Sequence, residues 1–124
     1  MQIKPADKIE ILLLQDNYID LVEAPSSAMV ARANPIKDGY IKNSVIAEHG
    51  FSALVKTTDS STEHVLLFDF GYSPMGVAHN MDALGVDASR IEELALSHGH
   101  MDHTGGLDAV MEKVGKPLKI FLHP

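Results

Sequence analysis

The pattern of apolar and polar residues predicts three strands between residues 8 and 68. Apolar residues occupy every second position of residues 8–15, which predicts the first strand. The same alternation over residues 50–56 predicts a second strand. Residues 65–68 are continuously apolar, as in strands that are covered on both faces. The polar residues 58–63 between them predict a hairpin whose second strand is central.

Helical spacing appears only in the second half of the chain. Ser73 supplies a capping oxygen directly before a proline, and apolar residues then recur at intervals of four and three, which predicts a helix over residues 74–84. Gly85 ends that helix as a left-handed residue. A second helix is predicted to begin at a Thr104 cap and to end at Gly115.

Two short apolar stretches complete the predicted order of elements. Residues 93–97 and 118–122 each predict a strand, one before and one after the second helix. The order is therefore β-β-β-α-β-α-β, a mixed α/β pattern of α+β sandwich type. Residues 25–44 show no sustained period beyond a possible helical turn at 27–33, and we interpret this long connection as a lid or a partner surface.

Composition and charge exclude several classes of protein. The chain has 10 Lys and Arg against 17 Asp and Glu, a formal net charge of −7, which argues against binding nucleic acid or an anionic membrane surface. It has no cysteine, so it holds neither a disulfide nor a thiolate metal site. Its apolar runs are too short for a membrane span or a secretion signal, and we therefore predict a cytoplasmic protein.

The side chains most suited to bind a metal lie between positions 98 and 103. His98, His100, Asp102 and His103 lie between a predicted strand and a predicted helix. In an extended segment, residues 98, 100 and 102 project to one side. Imidazole and carboxylate groups are ligands of zinc, manganese and iron ions, and Gly99 allows a tight bend between two of them. The competing interpretation, exposed loop residues without a metal, suits a single histidine better than this cluster.

This segment, with the Thr-Gly-Gly that follows it, resembles the signature of the metallo-β-lactamase fold superfamily. The preceding strand that ends at Asp69 agrees with that order, whereas Phe70 replaces the small hydroxyl residue often found there. Together with residues 48–52, the segment is more similar to the subgroup that includes the dihydropterin-linked ribofuranosylaminobenzene phosphate synthase. The resemblance implies an αββα fold, of which residues 1–124 would be a single partial domain, the N-terminal half that carries the metal loop.

The resemblance also implies a role for each site residue. His98 and His100 would bind one divalent ion and Asp102 and His103 a second, with zinc as the first choice and manganese or iron as alternatives. Hydrolysis would use a metal-bound hydroxide that Asp102, the candidate catalytic residue, helps to hold. Asp69 would orient a ligand imidazole, although a strand-end turn is an equal alternative.

The other histidines carry weaker predictions. His49 is a candidate for the edge of the active site, because it lies in the segment that resembles the subgroup. His64 is expected to be solvated, and His79 is expected to be an exposed helical residue. His123 matches no ligand position of the superfamily.

The resemblance leaves two functions open. Further ligands of the superfamily lie in a C-terminal half, so this chain alone would bind metal weakly or not at all, and would be a poor catalyst. A bare sheet face would require association, either as a homodimer or with a separate C-terminal half. The first function is therefore a metal-dependent hydrolase of an unidentified small molecule, active when completed. The second is a non-catalytic metal-binding or assembly module, or a truncated relic.

Overall fold

The computed structural model describes residues 4–20, 27–33, 36–41 and 44–123. Within these ranges, seven strands and three α-helices alternate with loops. The strands are β1 (Lys8–Gln15), β2 (Ile36–Lys37), β3 (Tyr40–Ile41), β4 (Ser52–Asp59), β5 (Thr62–Phe68), β6 (Glu93–Ala95) and β7 (Lys119–Phe121). The helices are α1 (Gly76–Leu84), α2 (Met101–Thr104) and α3 (Leu107–Val114), with a 3-10 turn over Ala88–Arg90.

Five of the strands form one mixed sheet in the order β1-β4-β5-β6-β7. The pairs β1–β4 and β4–β5 are antiparallel, and β4 and β5 are joined by a two-residue turn. The pairs β5–β6 and β6–β7 are parallel. Because parallel neighbours require a crossover connection, α1 lies between β5 and β6, and α2 and α3 lie between β6 and β7. The remaining strands, β2 and β3, form a separate hairpin.

One face of the sheet carries the hydrophobic core. The strand register places one apolar row across all five strands on this face, consisting of Leu12, Leu54, Leu67, Leu94 and Ile120. Leu67 is fully buried and Leu94 almost fully. All of these residues except Leu12 pack in the core with the buried sides of α1 and α3, which contribute Val77, Met81, Val110 and Val114. The core thus fixes the two crossover helices on a single side.

The opposite face of the sheet is apolar and largely open to solvent. By the same register its side chains include Ile9, Ile11, Leu13, Val55, Leu66, Phe68 and Phe121, which we call the open face. Ile11 is 64% exposed and Leu13 is 55% exposed. Contiguous exposure of apolar side chains on this scale is uncommon on monomeric soluble proteins.

Most of the predicted elements are confirmed, including the mixed α/β class. Residues 8–15 form β1 with the predicted bounds, and both strands of the hairpin extend further than predicted. The first helix begins at Gly76 rather than at Pro74. Ser73 still supplies the predicted capping oxygen, since its Oγ accepts hydrogen bonds from the amides of Met75 and Gly76. It ends as predicted at Gly85, whose φ is +70°.

The second helix departs from its prediction. Residues 101–104 already form the short helix α2, and α3 begins only at Leu107. Thr104 therefore does not cap a helix; its hydroxyl donates to the carbonyl of His100 within α2. The predicted end is correct, since Gly115 adopts a left-handed φ of +67°.

The long connection over residues 25–44 lies partly outside the described residues, including Pro25 and Pro35. Residues 27–33 do not form the helical turn that the sequence suggested. Ser27 instead makes a local turn, in which its amide donates to the carbonyl of Val30 and its hydroxyl accepts from the Met29 and Val30 amides. Within the described ranges, no helix is long and apolar enough to cross a membrane.

Candidate metal site

The histidine loop lies beyond the carboxyl end of β6, beside the end of the parallel neighbour β5. Asp69 follows β5, and its amide donates to the carbonyl of Ala95 in β6 at 2.9 Å. Ser97 occupies the corresponding place after β6. The carboxyl ends of parallel strands are where the loops of α/β proteins collect polar side chains, and both of these residues turn toward the loop.

Asp69 is the buried anchor of the loop. It is 1% exposed, and its φ of +56° is tolerated by aspartate better than by most residues. Its Oδ1 accepts from the Ser97 amide at 2.7 Å, and its Oδ2 accepts from the Ser97 hydroxyl at 2.7 Å. His103 Nδ1 also donates to Oδ2 at 2.7 Å, so in the neutral form of this imidazole the lone pair is on Nε2. Asp69 thereby orients an imidazole, as the resemblance implied, in addition to ending a strand.

The three loop imidazoles lie close together. The His98 ring centroid is 4.6 Å from that of His100 and 4.2 Å from that of His103. The expectation that alternate residues of this segment project to one side therefore holds for His98 and His100. It does not hold for Asp102, because α2 begins at Met101 and replaces the extended backbone with a helical turn.

Asp102 is the negatively charged centre of the loop. Its Oδ2 lies 3.3 Å from His103 Nε2 and 3.4 Å from His49 Nε2. Desolvation acts to raise the pKa of this carboxyl, but its own backbone amide and the nearby histidines, His103 first, outweigh that effect and lower the pKa. Asp102 is therefore ionised at neutral pH and available as an acceptor or ligand.

Two glycines allow neighbouring backbones to pack against α2. A Cβ at Gly105 would lie 1.8 Å from the Tyr72 carbonyl oxygen, and one at Gly50 would lie 2.1 Å from the Asp102 carbonyl oxygen. Gly50 also has a φ of +114°. Gly99, which the sequence suggested for a tight bend, has open space around its Cα and no left-handed φ. The glycines that allow these close approaches thus lie outside the ligand sequence, although the Gly50 approach is to the carbonyl of Asp102 within it.

The segment that carries His49 is held against the loop by side chains from distant parts of the chain. Gln15 Nε2 donates to the carbonyl of Glu48, and the Ser73 hydroxyl donates to the Glu48 carboxylate at 2.7 Å. The Gly50 amide donates to Asn17 Oδ1 at 2.9 Å. These contacts place His49 beside Asp102, with its ring 6.3 Å from that of Tyr72.

Sequence reasoning did not identify Ser97, Ser73 or Gln15 as contributors to this site. The position of Ser97, at the end of a predicted strand and directly before a candidate ligand, was the available signal for that residue. Gln15 and Ser73 gave no such signal, because they meet Glu48 across gaps of 33 and 25 residues.

The histidines outside this region have other partners. His64 is exposed, as expected, and its Nδ1 lies 2.8 Å from Glu92 Oε2. His79 is only partly exposed, because its Nε2 contacts the carbonyl oxygen of Ser44 at 2.8 Å. The expectation that His79 is a solvent-exposed helical residue was therefore wrong, since this contact ties α1 to the segment before β4.

The loop has donor types that suit a divalent ion. Across the described ranges, no three His, Asp or Glu side chains converge closely enough to hold an ion in this conformation. The donor chemistry nevertheless fits, since His103 presents an Nε2 lone pair and Asp102 is ionised. The cluster can thus offer imidazole and carboxylate groups to a metal, with side-chain rearrangement needed to close around it.

Comparison with known proteins finds a family model and relatives that match part of the chain. Residues 46–122 match the family model described as the metallo-beta-lactamase superfamily. The 7,8-dihydropterin-6-methyl-4-(beta-D-ribofuranosyl)-aminobenzene-5'-phosphate synthase of Methanocaldococcus jannaschii is 35% identical over 78 residues, 63% of this chain and 26% of that protein. An uncharacterized protein of the same organism is 35% identical over 66 residues, 53% of this chain and 24% of that protein. The chain spans about a quarter of the length of these curated relatives.

Two solved structures resemble part of the chain. A subclass B3 metallo-beta-lactamase from a soil metagenome library is 23% identical, with a TM-score of 0.44, over 60% of this chain and 26% of that chain. A metallo-beta-lactamase of Cronobacter sakazakii is 27% identical, with a TM-score of 0.41, over 55% of this chain and 26% of that chain.

Proposed function

Because the chain belongs to the metallo-β-lactamase superfamily, we propose that it is a metal-dependent, hydrolase-like protein with its metal donors in residues 98–103. The observation that carries this proposal is the hydrogen bond of 2.7 Å between His103 Nδ1 and Asp69 Oδ2. A buried carboxylate that fixes the tautomer of an exposed-loop imidazole is typical of the shell around metal ligands. A solvated polar loop has no need of such an anchor.

We assign the donors in pairs. His98 and His100 would hold one ion, and Asp102 and His103 a second, with zinc preferred and manganese or iron as alternatives. Ions of this class, when bound, supply Lewis acidity that favours attack of water on a carbonyl or phosphoryl group. A small molecule is the proposed substrate, and the similarity to the synthase covers too little of that protein to carry over its reaction.

The chain's own residues have three proposed tasks in this reaction. Asp69 holds His103 in the tautomer that leaves Nε2 free. Asp102, ionised at neutral pH, accepts a proton or hydrogen bond at Oδ2. His49, 69% exposed and 3.4 Å from that oxygen, lies at the edge of the site, where it can contact a substrate.

We further propose that the active form is an assembly. Four donors shared between two ions leave each ion with open coordination positions, more than a catalytic site keeps. The open face provides an apolar surface that a second copy of the chain, or a separate segment that supplies the rest of the family fold, would cover. A non-catalytic metal-binding or assembly module is the second candidate, favoured by the lack of three convergent donors within the described residues.

Metal analysis separates the two candidates from a protein that binds no metal. The full chain would be equilibrated with Zn²⁺, Mn²⁺ or Fe²⁺, and bound metal would be measured by mass spectrometry after desalting. Bound metal that is lost in His98→Ala and Asp102→Ala but kept in His64→Ala supports the proposed donors. His64 is a matched control, since it is an exposed histidine away from the loop. Equal metal content in all four proteins would overturn the site.

Hydrolysis assays then separate enzyme from binding module. The loaded protein would be given a chromogenic phosphodiester and a thioester. Turnover that depends on Asp102 but not on His64 supports the enzyme, whereas stoichiometric metal without turnover supports the module. Sedimentation at micromolar concentration tests the assembly, because a compact monomer would contradict self-association.

A further inference from the structure

The Ser97 hydroxyl lies between the buried carboxylate and a second imidazole. Its Oγ is 2.7 Å from Asp69 Oδ2 and 2.9 Å from His98 Nδ1. The distance from Ser97 Oγ to His103 Nδ1 is longer, 3.4 Å, and that nitrogen already donates to Asp69. The hydroxyl therefore has two close partners, one on each side.

The number of protons available fixes the direction of these hydrogen bonds. A serine hydroxyl has one proton to donate, and a carboxylate can only accept. The Ser97 proton must therefore point to Asp69 Oδ2. The Ser97 oxygen then acts as an acceptor, so His98 Nδ1 must carry the proton that it receives. The lone pair of the His98 imidazole is consequently on Nε2.

We infer that Ser97 is a positioning residue that transmits the influence of Asp69 to His98. One buried carboxylate thereby fixes two imidazoles in the same tautomer, His103 directly and His98 through the serine hydroxyl. The Ser97 amide, which donates to Asp69 Oδ1 at 2.7 Å, holds the backbone independently of the hydroxyl. The relay exists in the metal-free chain, and its consequence for metal affinity rests on the proposed function.

Nuclear magnetic resonance of the metal-free chain tests the relay directly. Two-bond nitrogen–proton spectra of protein labelled with ¹⁵N-histidine, recorded above pH 8 where imidazoles are neutral, report which nitrogen carries the proton. We expect the Nδ1-protonated pattern for both His98 and His103. Ser97→Ala should shift His98 toward the usual mixture of tautomers and leave His103 unchanged, whereas Ser97→Thr should restore the His98 pattern.

Asp69→Asn provides the second arm, because it should disturb both imidazoles. A His98 signal that shows protonated Nε2 in the unmodified chain would overturn the relay. An unchanged His98 signal in Ser97→Ala would overturn it too. Dispersed amide spectra of each variant check that the backbone fold is retained. In the Ser97 variants we expect it to be, since the hydrogen bond from the Ser97 amide to Asp69 Oδ1 does not use the Ser97 side chain.

Zinc affinity measures the expected effect of the Ser97 relay on metal binding. Competition with a chromophoric chelator should show affinity reduced by roughly 10- to 100-fold in Ser97→Ala, as for other residues that orient metal ligands, and retained in Ser97→Thr. Equal affinity in Ser97→Ala and the unmodified chain would overturn the effect on metal binding. If the unmodified chain binds no zinc, the proposed function fails, while the tautomer spectra still decide whether the relay exists.

Discussion

The carboxylate of Asp69 is buried and depends on three donors, two from Ser97 and one from His103. Replacement with asparagine retains the shape and the tolerance of a left-handed φ, but places an amide group against those donors. We expect Asp69→Asn to lower the free energy of unfolding by about 1–3 kcal/mol, the usual cost of leaving buried polar groups unpaired. Urea denaturation at pH 7 measures this change.

Asp59→Asn is the matched control for that measurement. Asp59 is exposed at the end of β4, so its change should remain within about 0.5 kcal/mol. Equal unfolding midpoints for the two variants would show that Asp69 does not anchor the loop.

At the scale of elements, Lys56 links β4 to both neighbouring strands through exposed ion pairs. Lys56 and then Lys8 lower the pKa of Glu10, and Arg90 and then Lys56 lower the pKa of Glu63. A carboxylate with a lowered folded-state pKa stabilises the fold above its unfolded pKa and loses that contribution as pH falls through the folded value. We therefore expect stability to decline below about pH 4.5, less steeply in Lys56→Met.

Urea midpoints at pH 7 and pH 3.5 give this comparison. Lys119→Met is the control, because Lys119 Nζ lies 3.9 Å from Glu93 Oε1 at the far edge of the sheet, away from the ion pairs of Lys56. High salt should reduce the difference between Lys56→Met and the unmodified chain, since the pairs are exposed. A Lys56→Met profile parallel to that of the unmodified chain would contradict the prediction.

The segment after β5 can contact the end of α2 because Gly105 has no side chain. We expect Gly105→Ala to lower the free energy of unfolding by about 1–3 kcal/mol, because its Cβ would overlap the Tyr72 carbonyl. Gly99→Ala, in the same loop but in open space, should range from no change to a gain of about 1 kcal/mol. Thermal or urea unfolding of the Gly105→Ala and Gly99→Ala variants measures this difference. Equal effects of the two substitutions would contradict the close packing of Gly105 against Tyr72.

Elements with several repeats of their period could be predicted from the sequence, and shorter ones could not. β1 has enough alternating residues to define its bounds, and α1 ends at a glycine that adopts the required φ. The four residues of α2 complete little more than one turn, so no helical period identifies them. The β2–β3 hairpin has two residues in each strand, too few for alternation to appear.

The candidate site, too, could be predicted only in part from the sequence. Local spacing identified His98, His100, Asp102 and His103 as a cluster, because these residues are adjacent along the chain. The family resemblance supplied Asp69, which is 34 residues from His103, but the contacts of Ser97 with Asp69 and His98 were not predicted. Which distant side chain meets which histidine depends on strand order, and the residue pattern does not encode that order explicitly.

At the scale of the whole molecule, the open face predicts how the chain behaves in solution. Ile11 is 64% exposed at the middle of β1, so Ile11→Glu should weaken self-association by at least about tenfold without loss of secondary structure. Analytical ultracentrifugation over a concentration series measures this. Met75→Glu is the matched control, since Met75 is 67% exposed but lies before α1 and away from the open face.

The two-residue turn of the β4–β5 hairpin has a consequence for the order of folding. Contacts within this hairpin are local in sequence, whereas the Phe70 amide reaches the His103 carbonyl across the whole β5–α1–β6 crossover. Local contacts form early and distant ones late, so the hairpin should be structured before the histidine loop is assembled. Pulsed hydrogen exchange during refolding should protect the amides of β4 and β5 first and those of Phe70 and Gly105 last. Newly refolded chains would thus pass through a state that has the β4–β5 hairpin but not yet the parallel strand pairs or the assembled histidine loop.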